Sequence, residues 1–188
     1  NFDFQIETSR IMRELSQAVG EGSTGLVENL SVLAGLDLLS GAARFSSAIR
    51  ASEPELADEP VMRLYGARHP LLYLMHGDRV VPNDLSLGES YNCLIISGAN
   101  TGGKTVLLKT AGLCALMLRH GLHIPAGPDS RIGIFDPVMA DIGDDQSIAQ
   151  SLSSFSGQMV ILKQMMERAR PSALILIDEI VVGTNPRQ

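Results

Sequence analysis

Residues 95–111 read IISGANTGGKTVLLKTA: an apolar run, a glycine-broken loop closed by Lys-Thr, then a segment apolar on nearly every side. The loop fits G-x-x-x-x-G-K-[ST] at Gly98, Gly103, Lys104 and Thr105, and phosphate chemistry explains that spacing. Glycines let backbone N–H groups curl around phosphate oxygens, and the following helix offers its positive N-terminal end. In such a loop the lysine reaches the β- and γ-phosphates, and the Ser/Thr hydroxyl coordinates Mg²⁺. The predicted nucleotide-binding set is therefore Gly98, Ala99, Asn100, Thr101, Gly102, Gly103, Lys104, Thr105 and Val106. A chance glycine-rich turn is the competing reading. It does not call for the strand-like run before the loop or the helix-like run after it. The loop predicts a bound nucleoside triphosphate with Mg²⁺.

Downstream, LILIDE at 174–179 is an apolar run ending in Asp178 and Glu179. An acidic residue at such a strand end can take the Mg²⁺, and a neighbouring carboxylate can orient or deprotonate the attacking water. Alone, Asp-Glu after a strand is as well read as a solvated turn; behind a phosphate loop it reads as catalytic. Glu179 directly after Asp178 favours hydrolysis over nucleotide storage, so Glu179 and Lys104 are the predicted catalytic residues. Between loop and strand, SLSSFSGQM at 151–159 opens a helix. Ser153 or Ser154 would serve as an ordinary N-cap. The functional alternative is that this hydroxyl-rich helix start meets the γ-phosphate of a nucleotide held by another subunit. It sits where ABC-type ATPases carry their signature segment.

The texture elsewhere supports an α/β reading. Residues 4–19 place Ile11, Leu15 and Ala18 at helical spacing, GEGSTG interrupts at 20–25, and Leu26, Leu30 and Leu33 restart a helix to about Ile49. ASEPELADEP at 51–60, acidic with two prolines, reads as a linker. Beyond it, VVPNDLSL and NCLIIS read as strands and residues 104–119 as a buried helix. RIGIFDPVMADIGD reads as a strand pair or strand and loop, and ALILIDE as a buried strand. Strands alternating with helices imply a sheet with ligand groups at strand ends.

Composition bounds the partners. The 188 residues carry a net charge of −6, with 45% hydrophobic, 19% charged and 4% aromatic residues. That suits a packed aliphatic core, whereas a chain that grips DNA unaided shows a basic excess. Cys93 and Cys114 lie in apolar runs and read as buried free thiols, which predicts a reducing, cytoplasmic setting. No leader pattern opens the chain, and no apolar run reaches the length of about 18 residues of a membrane span. The ends at Asn1 and Gln188 read as a piece of a longer protein. His120 and His123 straddle Gly121, which is read as ending a helix, so they suggest no metal site. His69 before Pro70 reads as a turn or packing residue, and Met165-Met166 as core filler.

With these elements in order, the chain resembles the MutS family, in particular the bacterial branch that often carries a C-terminal Smr nuclease domain. The resemblance rests on ARHPLL (67–72), VVPNDLSLGE (80–89), SGANTGGKTVLLKTAGL (97–113) and GLHIPA (121–126). ADIGDDQSIAQSLSSFSGQM (140–159) and LILIDEIVVGTNP (174–186) complete it. LSVLAGLDLLSGAARFS further resembles the helical lever that precedes this ATPase. The implied fold is an α/β P-loop NTPase of ABC/MutS type, a mixed sheet flanked by helices. A helical lever at 1–52 would precede a C-terminally truncated ATPase domain at 53–188.

The resemblance implies Mg²⁺-dependent ATP binding and hydrolysis at composite sites of a homodimer, switching a DNA clamp in repair or recombination control. By position, Asn100 would contact the γ-phosphate or its water, Asp178 would hold Mg²⁺ and Glu179 would activate water. Ser153 would act in trans, and Gln146 would fall in a Mg²⁺- or water-sensing loop. Val80 and Pro82 lie near the usual adenine-packing position. DNA would be held by domains mostly absent here; ribosomes or RNA remain an open target, and no membrane is implied. Two departures stand out: Ala99 where the loop usually has Pro, and IVVGTNP, with Val181, Val182 and Asn185, where Leu-Gly-Ala-Gly-Thr-Asp-Pro is usual. The segment expected to carry a γ-phosphate-sensing His lies past Gln188. The competing functions are a nucleotide-gated assembly module with little turnover and another ABC-type ATPase. ARHPLL and the preceding helical segment have no place in a transporter domain.

Overall fold

The structure is a computed structural model that describes residues 2–99, 102–142 and 151–178, with backbone only for 151–156. It divides into two compact units, Asn1–Arg44 and Phe45–Gln188.

The first unit is helix alone. α1 spans Phe2–Ala48 without interruption and has no buried residue. The break expected at 20–25 does not occur. A glycine costs an exposed helix about 1 kcal/mol relative to alanine but leaves helical φ and ψ fully accessible. Gly20, Gly22 and Gly25 have open space around them, and the Ser23 hydroxyl donates to Gly20 O at 2.8 Å within the helix. An 18-residue window of α1 reaches a mean hydropathy of 1.3 with at most two charged residues. By length and composition this is the membrane-length apolar stretch that the sequence reading did not expect. Its large apolar side chains from Phe2 to Leu39, Leu30 and Leu33 among them, are exposed.

In the second unit a four-stranded sheet runs in the order β1-β4-β2-β3. β1 (Glu55–Ala57) lies parallel to β4 (Arg131–Gly133), and β2 (Met62–Ala67) is antiparallel to both β4 and β3 (Asn83–Leu87). The expected linker thus contributes an edge strand: Glu55 and Ala57 register against Arg131 and Gly133, and the Arg131 guanidinium reaches Glu55 at 3.1 Å. Between β2 and β3 a short helix, α2 (Pro70–His76), starts with Pro at its first position and ends at a 3₁₀ turn, Gly77–Arg79. A proline there gives up only an N–H that no helix carbonyl would have met.

A second, two-stranded sheet pairs β5 (Val138–Asp141) in parallel with β6 (Leu174–Ile177). Against it packs α3 (Lys104–Arg119), whose Thr110, Ala111, Gly112, Cys114, Ala115 and Met117 are buried. Small residues allow that close approach: a Cβ on Gly112 would sit 2.7 Å from Leu176 Cδ1. α3 ends as read, with Gly121 at φ 72 just beyond it. α4 (Ser151–Arg168) leads to β6. Of its methionine pair only Met165 is core; Met166 is exposed. β6 alternates, Leu174 and Leu176 buried and Ile175 40% exposed, where a strand buried on both faces was expected.

The run 92–97 is the main departure. It pairs with no strand among the described residues, Ile95 is 85% exposed, and Cys93 is exposed where a buried thiol was expected. An apolar run becomes a strand only beside an edge that takes its backbone hydrogen bonds. Here a cavity of about 270 Å³, lined by Leu94, Ile96, Leu107 and Leu176 among others, separates it from β6.

Candidate functional site: a glycine-rich loop facing a strand-end carboxylate

The loop residues reach their positions through backbone geometry. Gly103 takes a left-handed conformation, φ 79 and ψ 15, as the N-cap of α3, and no side chain caps the helix. The turn that delivers it is closed by Gly102 N–H donating to Ala99 O at 2.9 Å. Leu107 N–H then bonds Gly103 O at 2.9 Å, starting the helical ladder. The dipole of a helix that starts on a glycine-rich loop favours an anion at that end. Lys104 Nζ donates to Gly98 O at 2.6 Å, folding the ammonium back across the loop.

Thr105, one residue into α3, donates its hydroxyl to Asp178 Oδ2 in a short hydrogen bond. Asp178 directly follows β6, and its N–H bonds Asp141 O at 2.9 Å. The parallel register of β5 and β6 sets that contact, since Asp141 stands opposite Ile177. Helix start and strand end therefore present a hydroxyl and a carboxylate to each other. Both are hard oxygen donors of the kind Mg²⁺ takes, and both stay partly solvent-accessible. They fit a Mg²⁺ accompanying a triphosphate at the N-terminus of α3.

The structure brings Gly98, Ala99, Gly102, Gly103, Lys104, Thr105 and Asp178 to one end of α3, with Val106 in its first turn. Asn100, Thr101, Gln146 and Glu179 lie outside the described residues, as do Val181, Val182 and Asn185. Ser153 is in the first turn of α4, with its side chain outside the description. Val80 is half-buried against the core, while Val81 and Pro82 are exposed. The apolar cavity is lined by none of Gly98, Gly103, Lys104, Thr105 or Asp178. It is a packing gap beneath the loop, too apolar to hold phosphates.

Sequence reasoning missed Asp141. Its backbone anchors Asp178, and the available signal was the parallel repetition of an apolar run ending in Asp: VMAD, then LILID. His69, buried, is a cap: its Nδ1 accepts Leu72 N–H at 3.3 Å at the start of α2. Burial, and then the charge of Lys109, hold its pKa below the usual histidine value.

Residues 94–188 match the family described as MutS domain V. The chain is 43% identical over 182 residues to the endonuclease MutS2 of Symbiobacterium thermophilum, covering 97% of this chain and 22% of that protein. The endonuclease MutS2 of Pelotomaculum thermopropionicum is 47% identical over 182 residues, 97% of this chain and 23% of that protein. The putative endonuclease MutS2 of Bacillus subtilis is 45% identical with the same coverage. The chain thus spans less than a quarter of the length of the curated relatives it matches.

Proposed function

This chain belongs to the MutS family, and from that membership we propose that it is the nucleotide motor of a DNA-acting protein. In this reading it binds ATP with Mg²⁺ at the Gly98–Thr105 loop and hydrolyses it. The observation that supports this best is the meeting of the Thr105 hydroxyl with Asp178 at the uncapped start of α3.

The residues divide the work. Backbone N–H groups of the loop and the Lys104 ammonium hold the phosphate oxygens. For that, Lys104 leaves Gly98 O, a carbonyl that gives way to a more highly charged acceptor. Thr105 and Asp178 hold Mg²⁺, which when bound neutralises charge on the β- and γ-phosphates. Glu179 takes a proton from the attacking water, Asn100 orients the γ-phosphate or that water, and Gln146 senses the metal or the water. Ser153, at the start of α4, completes the site of a second copy, so the working unit is a homodimer of an ABC/MutS-type fold. Residues 1–52 form the lever, and the exposed apolar side chains of α1 support its role as an element that packs against further protein. DNA repair or recombination control is the process, in the cytoplasm, with DNA or a ribosomal RNA surface held outside this chain.

The test is solution mass and ATP turnover of Glu179→Gln, with Lys104→Ala as control. A dimer that forms only with MgATP, turns over slowly and disappears in the Lys104 variant is expected. A protein that stays monomeric and binds no ATP overturns the proposal. Tight ATP binding with negligible turnover in the unaltered chain moves the second reading ahead: a nucleotide-gated assembly module. The sequence IVVGTNP after Glu179 favours that second reading.

A further inference from the structure

We propose that Arg68 and Arg50, gathered at the Tyr73 ring, form a binding site for a phosphate group, carried on a nucleic-acid strand or free in solution. None of its residues belongs to the glycine-rich loop, and the proposal goes beyond the ATP-motor reading.

Arg68 is the first observation. Among the described residues, Arg63, Arg68 and Arg131 each have a buried Nε without a hydrogen-bond partner. Two of them have a carboxylate beside them: Arg63 reaches Glu89 at 3.4 Å and Arg131 reaches Glu55 at 3.1 Å. Half-buried Arg68 has no carboxylate within ion-pair distance among the described residues, and its Nη1 meets only Gly66 O, at 3.5 Å. Its main chain is fixed, since its N–H bonds Pro125 O at 2.9 Å. A guanidinium does not shed its proton, so a half-buried one keeps a charge that calls for a counter-anion. This one stands 5.9 Å over the ring of buried Tyr73.

Arg50 is the second. It lies in the Schellman turn that closes α1, where Ala51 N–H bonds Ser46 O at 2.8 Å and Arg50 N–H bonds Ser47 O at 3.3 Å. Its φ of 48 makes it the one non-glycine residue with positive φ among the described residues. That position favours glycine or asparagine, and strain of this kind asks what the side chain does there. Its guanidinium lies 6.0 Å over the same ring and 2.9 Å from Asp78 Oδ1.

The surroundings add positive charge. Exposed Arg79 follows Asp78 in the 3₁₀ turn, and the charge of Lys109 acts on His69, next to Arg68. Against these cations stand two carboxylates, both engaged. Asp78 Oδ1 takes the Tyr73 hydroxyl at 3.0 Å besides Arg50, and Asp84 Oδ1 takes Gly66 N–H at 2.7 Å. A basic neighbourhood in a chain of net charge −6 is a local feature. Guanidinium forks pair bidentately with phosphate. Successive phosphates of a strand can meet Arg68, Arg50 and Arg79 together, which a single carboxylate cannot.

The experiment places Arg50→Gln or Arg68→Gln in the full chain carrying Lys104→Ala, which removes the ammonium of the glycine-rich loop. It measures binding of a fluorescent oligothymidylate strand against salt, and Tm with and without inorganic phosphate. The Lys104→Ala chain is expected to bind the strand. Each added substitution should weaken binding by on the order of ten-fold and lower the salt slope by about 0.7. Arg50→Gln should keep its Tm, because the Arg50 and Asp78 side chains are 69% and 67% exposed and such pairs hold little. It therefore decides the matter if Arg68→Gln fails to fold. Inorganic phosphate that raises Tm only while both arginines are present, with no strand binding, supports the site and identifies free phosphate as its ligand. Equal behaviour of the Lys104→Ala chain and its Arg50→Gln derivative with both probes overturns the proposal, as does binding of neither probe. Polyglutamate that displaces the strand at equal charge concentration also overturns it, in favour of an acidic protein partner.

Discussion

The Thr105 hydroxyl donates to the Asp178 carboxylate across 73 residues of sequence, which makes the head of α3 and the end of β6 one chemical unit. If that pair holds Mg²⁺, Thr105→Val raises the Mg²⁺ concentration for half-maximal ATP binding by on the order of 10- to 100-fold. Thr105→Ser, which keeps the hydroxyl, stays close to the unaltered chain. A magnesium titration of ATP binding checks both, and equal behaviour of the two variants refutes the assignment.

Gly133 is irreplaceable for a packing reason. A Cβ there would lie 1.9 Å from Glu59 O and 3.2 Å from Ala57 O, both main-chain atoms. Gly133→Ala must push β4 from its neighbours, at a cost of about 1–3 kcal/mol and several degrees in Tm. Gly112→Ala meets only the tip of the Leu176 side chain, so its loss is smaller. Thermal unfolding of the two variants ranks them.

His69 makes stability depend on pH. Its folded pKa lies below the ordinary 6.5 because of burial and Lys109, so the unfolded chain binds the proton more readily. The stabilisation is fully present above about pH 6.5 and is lost as pH falls from there towards the folded value. Protonation also removes the Nδ1 acceptor that caps α2. His69→Asn, which can still cap, should flatten the stability profile between about pH 7 and 5. An unchanged slope in urea titrations across that range would falsify the account.

The thiols separate by reactivity. Burial pushes Cys114 up to about 12, and it is closed to solvent, while Cys93 is exposed. Only the thiolate attacks. At pH 8 the native chain should consume one equivalent of a thiol reagent rapidly, and the denatured chain two. Cys93→Ser should abolish the fast phase.

Much of this was legible before the fold was known, where one local physical requirement dominated. The α3 helix was readable because its apolar residues and the Gly-Lys-Thr start agree, and its observed span, Lys104–Arg119, matches the predicted 104–119. The terminating Gly121 was likewise signalled by its neighbours, whereas His69, read as a turn or packing residue, is the N-cap of α2. Where nearby signals conflicted, reading failed. GEGSTG punctuates a pattern that an exposed helix simply continues through, and two prolines hid the strand at Glu55–Ala57, whose strand partner lies 76 residues away.

The sequence by itself determined the glycine-broken loop with its Lys-Thr end, the acidic residue after the last described strand and the order of elements between them. Each is a contiguous arrangement whose chemistry depends on neighbours along the chain. Tertiary structure decided what depends on distant partners. It set the parallel register that fastens Asp178 to Asp141 and brings Thr105 to it, and it left 92–97 outside the sheet. It also made Arg50 a left-handed cap held over Tyr73 and against Asp78. Sheet register and side-chain pairing are settled by whichever backbone edge and charged group lie within a few ångströms, and separation along the chain carries no record of that distance.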